Sequence, residues 1–211
     1  MGIVLLTLVS YDAALRGQAG ASSPRITFTK TLKGSAPEYM ALSIDANGKG
    51  TYDSHKLDEP PCPRPLQISA ATTAQLFSLA ADVNNFQSVD FDSHRKVANM
   101  GLKTLSYEAG RETHRVQYNY TENRTAQQLT EIFEKIGNVE EHITQLQYDM
   151  RFDHLSLPQT LAEIQEEFAD HNLAELSLMI PTLEQISSNP RFLHLAQARA
   201  QEILRNINRQ K

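Results

Sequence analysis

The side chains in this sequence most able to do chemistry are seven histidines, a single cysteine and a scatter of carboxylates. Among His55, His94, His114, His142, His154, His171 and His194, none forms the i, i+4 pair that sets two imidazoles on one helical face for zinc. None joins cysteines at finger spacing. Cys62 lies in Glu59-Pro60-Pro61-Cys62-Pro63-Arg64-Pro65. A thiol there becomes a nucleophile only if a histidine or a helix end lowers its pKa, and no neighbouring pattern supplies one. As the sole cysteine it has no partner for an internal disulfide. Ser93-His94 is not a triad, because sequence neighbours do not meet that geometry. Gly48-Lys49-Gly50 lacks the glycine spacing and the Lys-Ser/Thr ending of a phosphate loop. Asp153-His154 and Asp170-His171 recur near expected helix ends, where an imidazole can serve terminal carbonyls. Glu140-Glu141 and Glu166-Glu167 read as solvated charges on helix faces. No catalytic, cofactor-binding or metal-ligating residue is assigned, and no cofactor. The alternative is an envelope hydrolase or hydrolase inhibitor whose site is dispersed over loops near Cys62, His94 and His114.

Any such site would have to be positioned by the elements around it, and the dominant one is a long helix. Leu129, Ile132, Ile136, Val139, Ile143, Leu146 and Met150 recur at alternating spacings of three and four, which places all seven on one helical stripe. Packing on the protein's own sheet is expected for it rather than a coiled-coil seam, because Phe133 widens the stripe and the flanking positions lack paired charges. Gly137-Asn138 in its middle predicts a kink or a break. Upstream, Arg25 to Leu32 alternates Ile26, Phe28 and Leu32 with threonines, as a half-buried strand does. Lys30 interrupts its apolar face and predicts an edge position. Met40, Leu42 and Ile44 share the face of a second strand, which Asn47-Gly48 turns into a third centred on Tyr52.

The prolines from Pro60 to Pro65 predict a loop or an extended crossing segment outside the sheet. Ser69 or Thr72 caps a helix carrying Leu76, Phe77, Ala80 and Val83. Phe86 to Phe91 reads as an irregular return, and a second hairpin then turns at Ala109-Gly110-Arg111-Glu112. Its second strand sets His114, Val116, Tyr118 and Tyr120 on one face. These aromatics read as packing residues, with a carbohydrate or peptide platform of Tyr118 and Tyr120 as the sharper alternative. The glycosylation patterns at Asn119 and Asn123 read as chance matches. Beyond the long helix, Leu157 to Phe168 forms a helix entered through Pro158, Pro181 starts or bends the next, and Ser188-Asn189-Pro190 caps the last.

The formal charge of -5 is spread over mixed residues, so no basic field marks the chain for nucleic acid. Residues 1–22 read as a signal peptide, an apolar block Ile3 to Val9 followed by Ala19-Gly20-Ala21, and contact with a membrane is expected only through that segment. The order hairpin, helix, hairpin and amphipathic helix, after an export-like segment, resembles uncharacterised exported bacterial proteins that carry a small α+β domain of unknown function. The resemblance rests on Ile26 to Tyr52, Phe86 to Tyr118 and Leu129 to Ile136, about half of the chain. Where those proteins often carry cysteines after the first strand, this chain has Lys33-Gly34-Ser35. The resemblance implies no activity and no site residue. The expected architecture is α+β: an antiparallel sheet of two hairpins plus an N-terminal strand, packed on helices, over residues 23–150, with a helical subdomain over 151–211. The expected role is that of an exported, non-catalytic binding or scaffolding protein of the bacterial envelope, periplasmic or secreted, with a protein as partner.

Overall fold

The computed structural model describes residues 23–209, so the expected signal peptide lies outside the described residues. Six strands form one antiparallel sheet: β1 (Arg25–Thr31), β2 (Tyr39–Asp45), β3 (Lys49–His55), β4 (Arg64–Gln67), β5 (Leu102–Ala109) and β6 (Glu112–Tyr118), in the spatial order β4-β3-β2-β1-β5-β6. The fold is therefore α+β, as its alternating strands and periodic helices predict. Ile26, Phe28, Leu42, Ile44, Tyr52, Leu105, Val116 and Tyr118 point to one face and are buried. The other face carries hydroxyls, with Thr27 and Ser43 bonded side by side at 2.9 Å.

Two strand expectations are corrected. β1 is not an edge but lies at the centre, between β2 and β5. Lys30 is tolerated there because it sits near the strand's end, where its ammonium reaches Glu134 on a covering helix at 2.7 Å. The proline cluster is not wholly outside the sheet either. Pro65 lies within β4 opposite Thr51, and its missing N–H is tolerable because β4 is an edge strand.

Two helices cover the apolar face. α1 (Ala70–Asp82) is capped by the Ser69 hydroxyl, which accepts from the Thr72 amide, and α2 (Arg124–Phe152) by the Asn123 carboxamide, which accepts from Ala126. With 29 residues, α2 is about 43 Å long at 1.5 Å per residue. That outruns any seven-residue strand, so its stripe serves two cores. Leu129, Phe133 and Ile136 pack on the sheet, where Phe133 stacks on Phe28 with ring centroids 5.3 Å apart. Val139, Ile143 and Leu146 pack instead with α3 (Leu157–Ala169), α4 (Ile180–Ser188) and α5 (His194–Arg209).

The expected kink at Gly137-Asn138 does not occur, for α2 is continuous. Gly137 marks a close approach: a β-carbon there would run into the Met40 thioether. Pro181 does open a helix, α4, after the short 3-10 turn Leu176–Met179. α5 starts later than the Ser188-Asn189-Pro190 signal predicts, at His194. Asn189 turns its carboxamide to the Arg191 amide instead, and the Gln197 side chain ties the Asn189 and Phe192 carbonyls into the entry of the helix. His154 behaves as a helix-end histidine, with Nε2 2.8 Å from the Met150 carbonyl.

Because Phe133 is fully buried against the sheet, Phe133→Ala is expected to cost about 3–5 kcal/mol of unfolding free energy. Exposed Phe152 on the same helix should tolerate alanine within about 0.5 kcal/mol. Urea unfolding monitored by circular dichroism checks the contrast, and equal effects would mean that the first half of α2 does not dock as described.

Candidate functional site: a charged groove beside α2

The end of β1 and the connection to β2 diverge from α2 and leave a hollow of about 460 Å³, lined by Lys30, Pro37, Met40, Glu134, Glu141 and His142 among others. A second hollow of about 240 Å³ adjoins it, bounded by Met100, Lys103, Tyr120, Gln127 and Glu131. Lys30 and Glu134 line both. Their ion pair is thus the wall that the two hollows share, and together the hollows form a groove along α2 from Gln127 to Glu141, about 21 Å along the helix axis, which the pair divides. Each partner of this pair is about a third exposed, so the bridge is worth no more than about 1 kcal/mol and can open to a ligand.

The groove's charge is dense and paired. Lys30 and Lys103 stand directly opposite each other on β1 and β5, a like-charge arrangement that is unfavourable by itself. Glu134 answers it from α2. Lys103 is buried, and its amine donates to the carbonyls of Met100 (3.3 Å) and Asn119 (3.2 Å). Burial pushes that amine down from the ordinary lysine range, while Glu134 acts against the shift and Lys30 with it. At the other end the Tyr52 hydroxyl donates to Glu141, and His142 Nε2 lies 3.2 Å from Glu167. That Glu167 oxygen is buried and has no hydrogen-bond partner among the described residues.

A clamp near this end of the groove fixes α2 to the sheet. The Arg64 guanidinium lies 5.4 Å from the centre of the Tyr52 ring, donates to Thr144 at 2.7 Å and reaches Glu140 at 3.5 Å. Burial pushes the Glu140 carboxyl up, and Arg64 opposes that shift. Glu140 and Glu141 are therefore not simply solvated charges, as their pairing in sequence implied. Each holds a strand residue.

Cys62, His94 and His114, the residues of the alternative dispersed site, are not brought together. Cys62 is exposed just before edge strand β4, its amide donating to Asp53 at 3.0 Å. His114 lies on β6, the opposite edge, with Nδ1 3.2 Å from the Asn85 carbonyl. Five strand spacings separate those edges, about 24 Å. His94 sits in the exposed connection between α1 and β5, 2.8 Å from Asp90.

The Tyr118–Tyr120 platform does not form. Tyr118 is buried edge-on to Phe91, and its hydroxyl meets Thr130 at 2.6 Å. Burial pushes its phenol up to about 12. Tyr120 is half-buried and lines the smaller hollow. The two glycosylation-pattern asparagines have structural work. Asn119 bonds the Met100 amide and the Ala98 carbonyl, and Asn123 caps α2. Sequence reasoning missed the groove's lysines, although a lysine that breaks an apolar strand face was itself the available signal.

The bond to Asp90 raises the His94 pKa above its ordinary value, and the bonds from His94 and the Asp92 amide lower that of Asp90. The pair's contribution to ordering this connection is therefore present between those two values. It is lost as pH rises through the raised imidazole pKa, and also as pH falls through the depressed carboxyl pKa. Proton NMR should show His94 titrating above about 6.5, the model-peptide value, and returning toward it in Asp90→Asn. An unchanged His94 titration in that variant would remove the pair.

No family model and no curated protein sequence matches the chain.

Proposed function

We propose that this chain is a non-catalytic binding module of the bacterial cell envelope that takes an extended segment of a partner protein into the groove beside α2. The observation that carries the reading is that two hollows along α2 share the Lys30–Glu134 pair as a common wall. About 21 Å accommodates roughly six residues in extended conformation, the length of a peptide motif. One end offers apolar Met100, about half exposed, beside Tyr120. The other offers Glu141 and Glu167. The complementary peptide has a bulky apolar side chain at one end and a lysine or arginine toward the other. Opening the Lys30–Glu134 bridge would free a carboxylate and an ammonium for its backbone or side chains.

The compartment rests on the export-like segment at residues 1–22 and on the resemblance to exported bacterial proteins. In bacterial expression with its own N-terminus, the mature chain is expected in the periplasmic fraction, cut near Ala21 by mass spectrometry. Recovery of an intact Met1 terminus from the cytosol would refute export without touching the groove.

Linear-peptide display against the folded protein tests the groove. Enriched peptides should share an apolar and a basic position, and Glu141→Lys with Glu167→Lys should weaken them about tenfold or more, since charge-assisted contacts are worth about 1.5–3 kcal/mol. Peptides with no common pattern, or peptides indifferent to the double variant while circular dichroism shows it folded, would sink the reading.

A further inference from the structure

Among the described residues Lys103 is the one buried lysine, 7% exposed, and the peptide reading makes no use of its amine. It is not sealed in closed core, for it lines the hollow of about 240 Å³. Its nitrogen has two hydrogen-bond acceptors among the described residues, the carbonyls of Met100 and Asn119. That number suits the neutral amine, whose two N–H bonds are then both used and whose lone pair is left over. An ammonium would carry a third N–H without an acceptor there.

The groups that face the amine set its protonation. Lys30 comes from β1, Glu131 and Glu134 from α2, and Tyr118 and Tyr120 from the end of β6 and just beyond it. Burial is the largest influence and favours the neutral form; Glu134 opposes it, and Lys30, directly opposite on β1, adds to it. A desolvated lysine beside a second cation is the arrangement that makes an amine nucleophilic toward a carbonyl carbon.

The hollow also selects what the amine meets. Glu134 is paired with Lys30 and Glu131 with Lys135, so neither lining carboxylate calls for an ionised ligand. Met100 and Tyr120 add apolar surface. A volume of about 240 Å³ holds about eight water-sized groups at about 30 Å³ each. The ligand is small and uncharged.

We propose that Lys103 captures a short-chain, uncharged aldehyde in this hollow as a reversible imine. The amine's lone pair forms the C–N bond to the aldehyde carbon, giving a carbinolamine. The C–O bond then breaks, the oxygen leaves as water with the two amine hydrogens, and the C=N bond forms. No oxidant or reductant is consumed, and water reverses the step. Glu134 lines the same hollow and can carry protons between nitrogen and oxygen. The proposal needs only the smaller hollow and stands apart from the peptide reading.

Butanal with cyanoborohydride, which reduces the imine to a stable secondary amine, tests the proposal on the unaltered chain. Peptide mass spectrometry then reads the rate at each lysine. At neutral pH Lys103 should be alkylated about tenfold or more faster than any other lysine, because only the free amine attacks. The preference should vanish in urea, where burial is lost. It should also shrink as pH rises above about 10, where ordinary lysines become neutral. Glyoxylate, an aldehyde that carries a carboxylate, should show no preference for Lys103. Glu141→Lys with Glu167→Lys should leave butanal labelling unchanged, which separates failure here from failure of the peptide reading. The proposal is overturned if Lys103 in the folded chain reacts no faster than the exposed lysines, since the amine then serves only its two carbonyls. A preference that survives in urea, or a preference for glyoxylate over butanal, would equally overturn it.

Discussion

The fold depends on α2 remaining straight while its apolar stripe changes partners. A strand delivers side chains to a face every second residue, so the sheet's inner surface ends where the strands end. A helix of eight turns does not. Leu129 to Ile136 satisfy their hydrophobic demand against β-strand side chains, and Val139 to Leu146 against other helices. Between the two lies Gly137, pressed on Met40. A side chain there would lift the helix from the sheet at the point where it must still touch it to reach the second core. The two cores are joined through this helix, and its position is fixed by the demands of both.

The groove follows from that geometry. Sheets twist and helices do not follow them indefinitely, so a straight helix crossing a twisted sheet leaves a wedge at the strand ends. Polar residues on the inner face of a sheet are costly where helix and strand are in contact, but the wedge is open to water. Lys30, Lys103 and Glu134 sit at this margin. Deeper in the helical core the same problem is handled by closure. Asp149 is buried and accepts from Thr160 at 2.6 Å and Gln145 at 2.8 Å, so its charge is held by local donors. Groups with settled partners hold structure together, and groups whose partner is a partly exposed ion are free to exchange it.

What was legible in the sequence was whatever repeats locally. The alternation in Arg25 to Thr31 and Tyr39 to Asp45, the Asn47-Gly48 turn, the Ser69 cap and the stripe of α2 each announce themselves within a dozen residues. Strand order does not. β1 lies at the centre only because β5, some seventy residues later, returns to its free side, and no pattern inside Arg25 to Thr31 contains that. Pro65 illustrates the same limit, since whether a proline can belong to a strand depends on which strand is outermost. Glu140 and Glu141 read as solvent-facing because their partners, Arg64 and Tyr52, are more than seventy residues away. Tyr118 and Tyr120 share a face in sequence, yet the strand ends at Tyr118. One tyrosine enters the core while the other reaches the groove.

The connection between α1 and β5 shows how the groove's apolar end is held without regular structure. It leaves α1 through three successive residues, Asn84, Asn85 and Phe86, all with positive φ. Asparagine tolerates that conformation, but a bulky side chain adopts it only where the surroundings impose it. The imposed benefit is burial of Phe86 against Phe91. Phe91 in turn packs on Tyr118, and Asp92 accepts the Asn119 amide at 3.1 Å. Asn119 holds the Met100 amide, and the Lys103 amine gathers the carbonyls of both residues. The amine's depressed pKa means that the unfolded chain binds its proton more tightly than the native one, so ionised Lys103 costs stability at neutral pH. That cost falls as pH rises through the lysine range. Since its charge opposes folding, the return for burying Lys103 is geometric: two backbone carbonyls, one just before β5 and one just after β6, are fixed at one end of the groove.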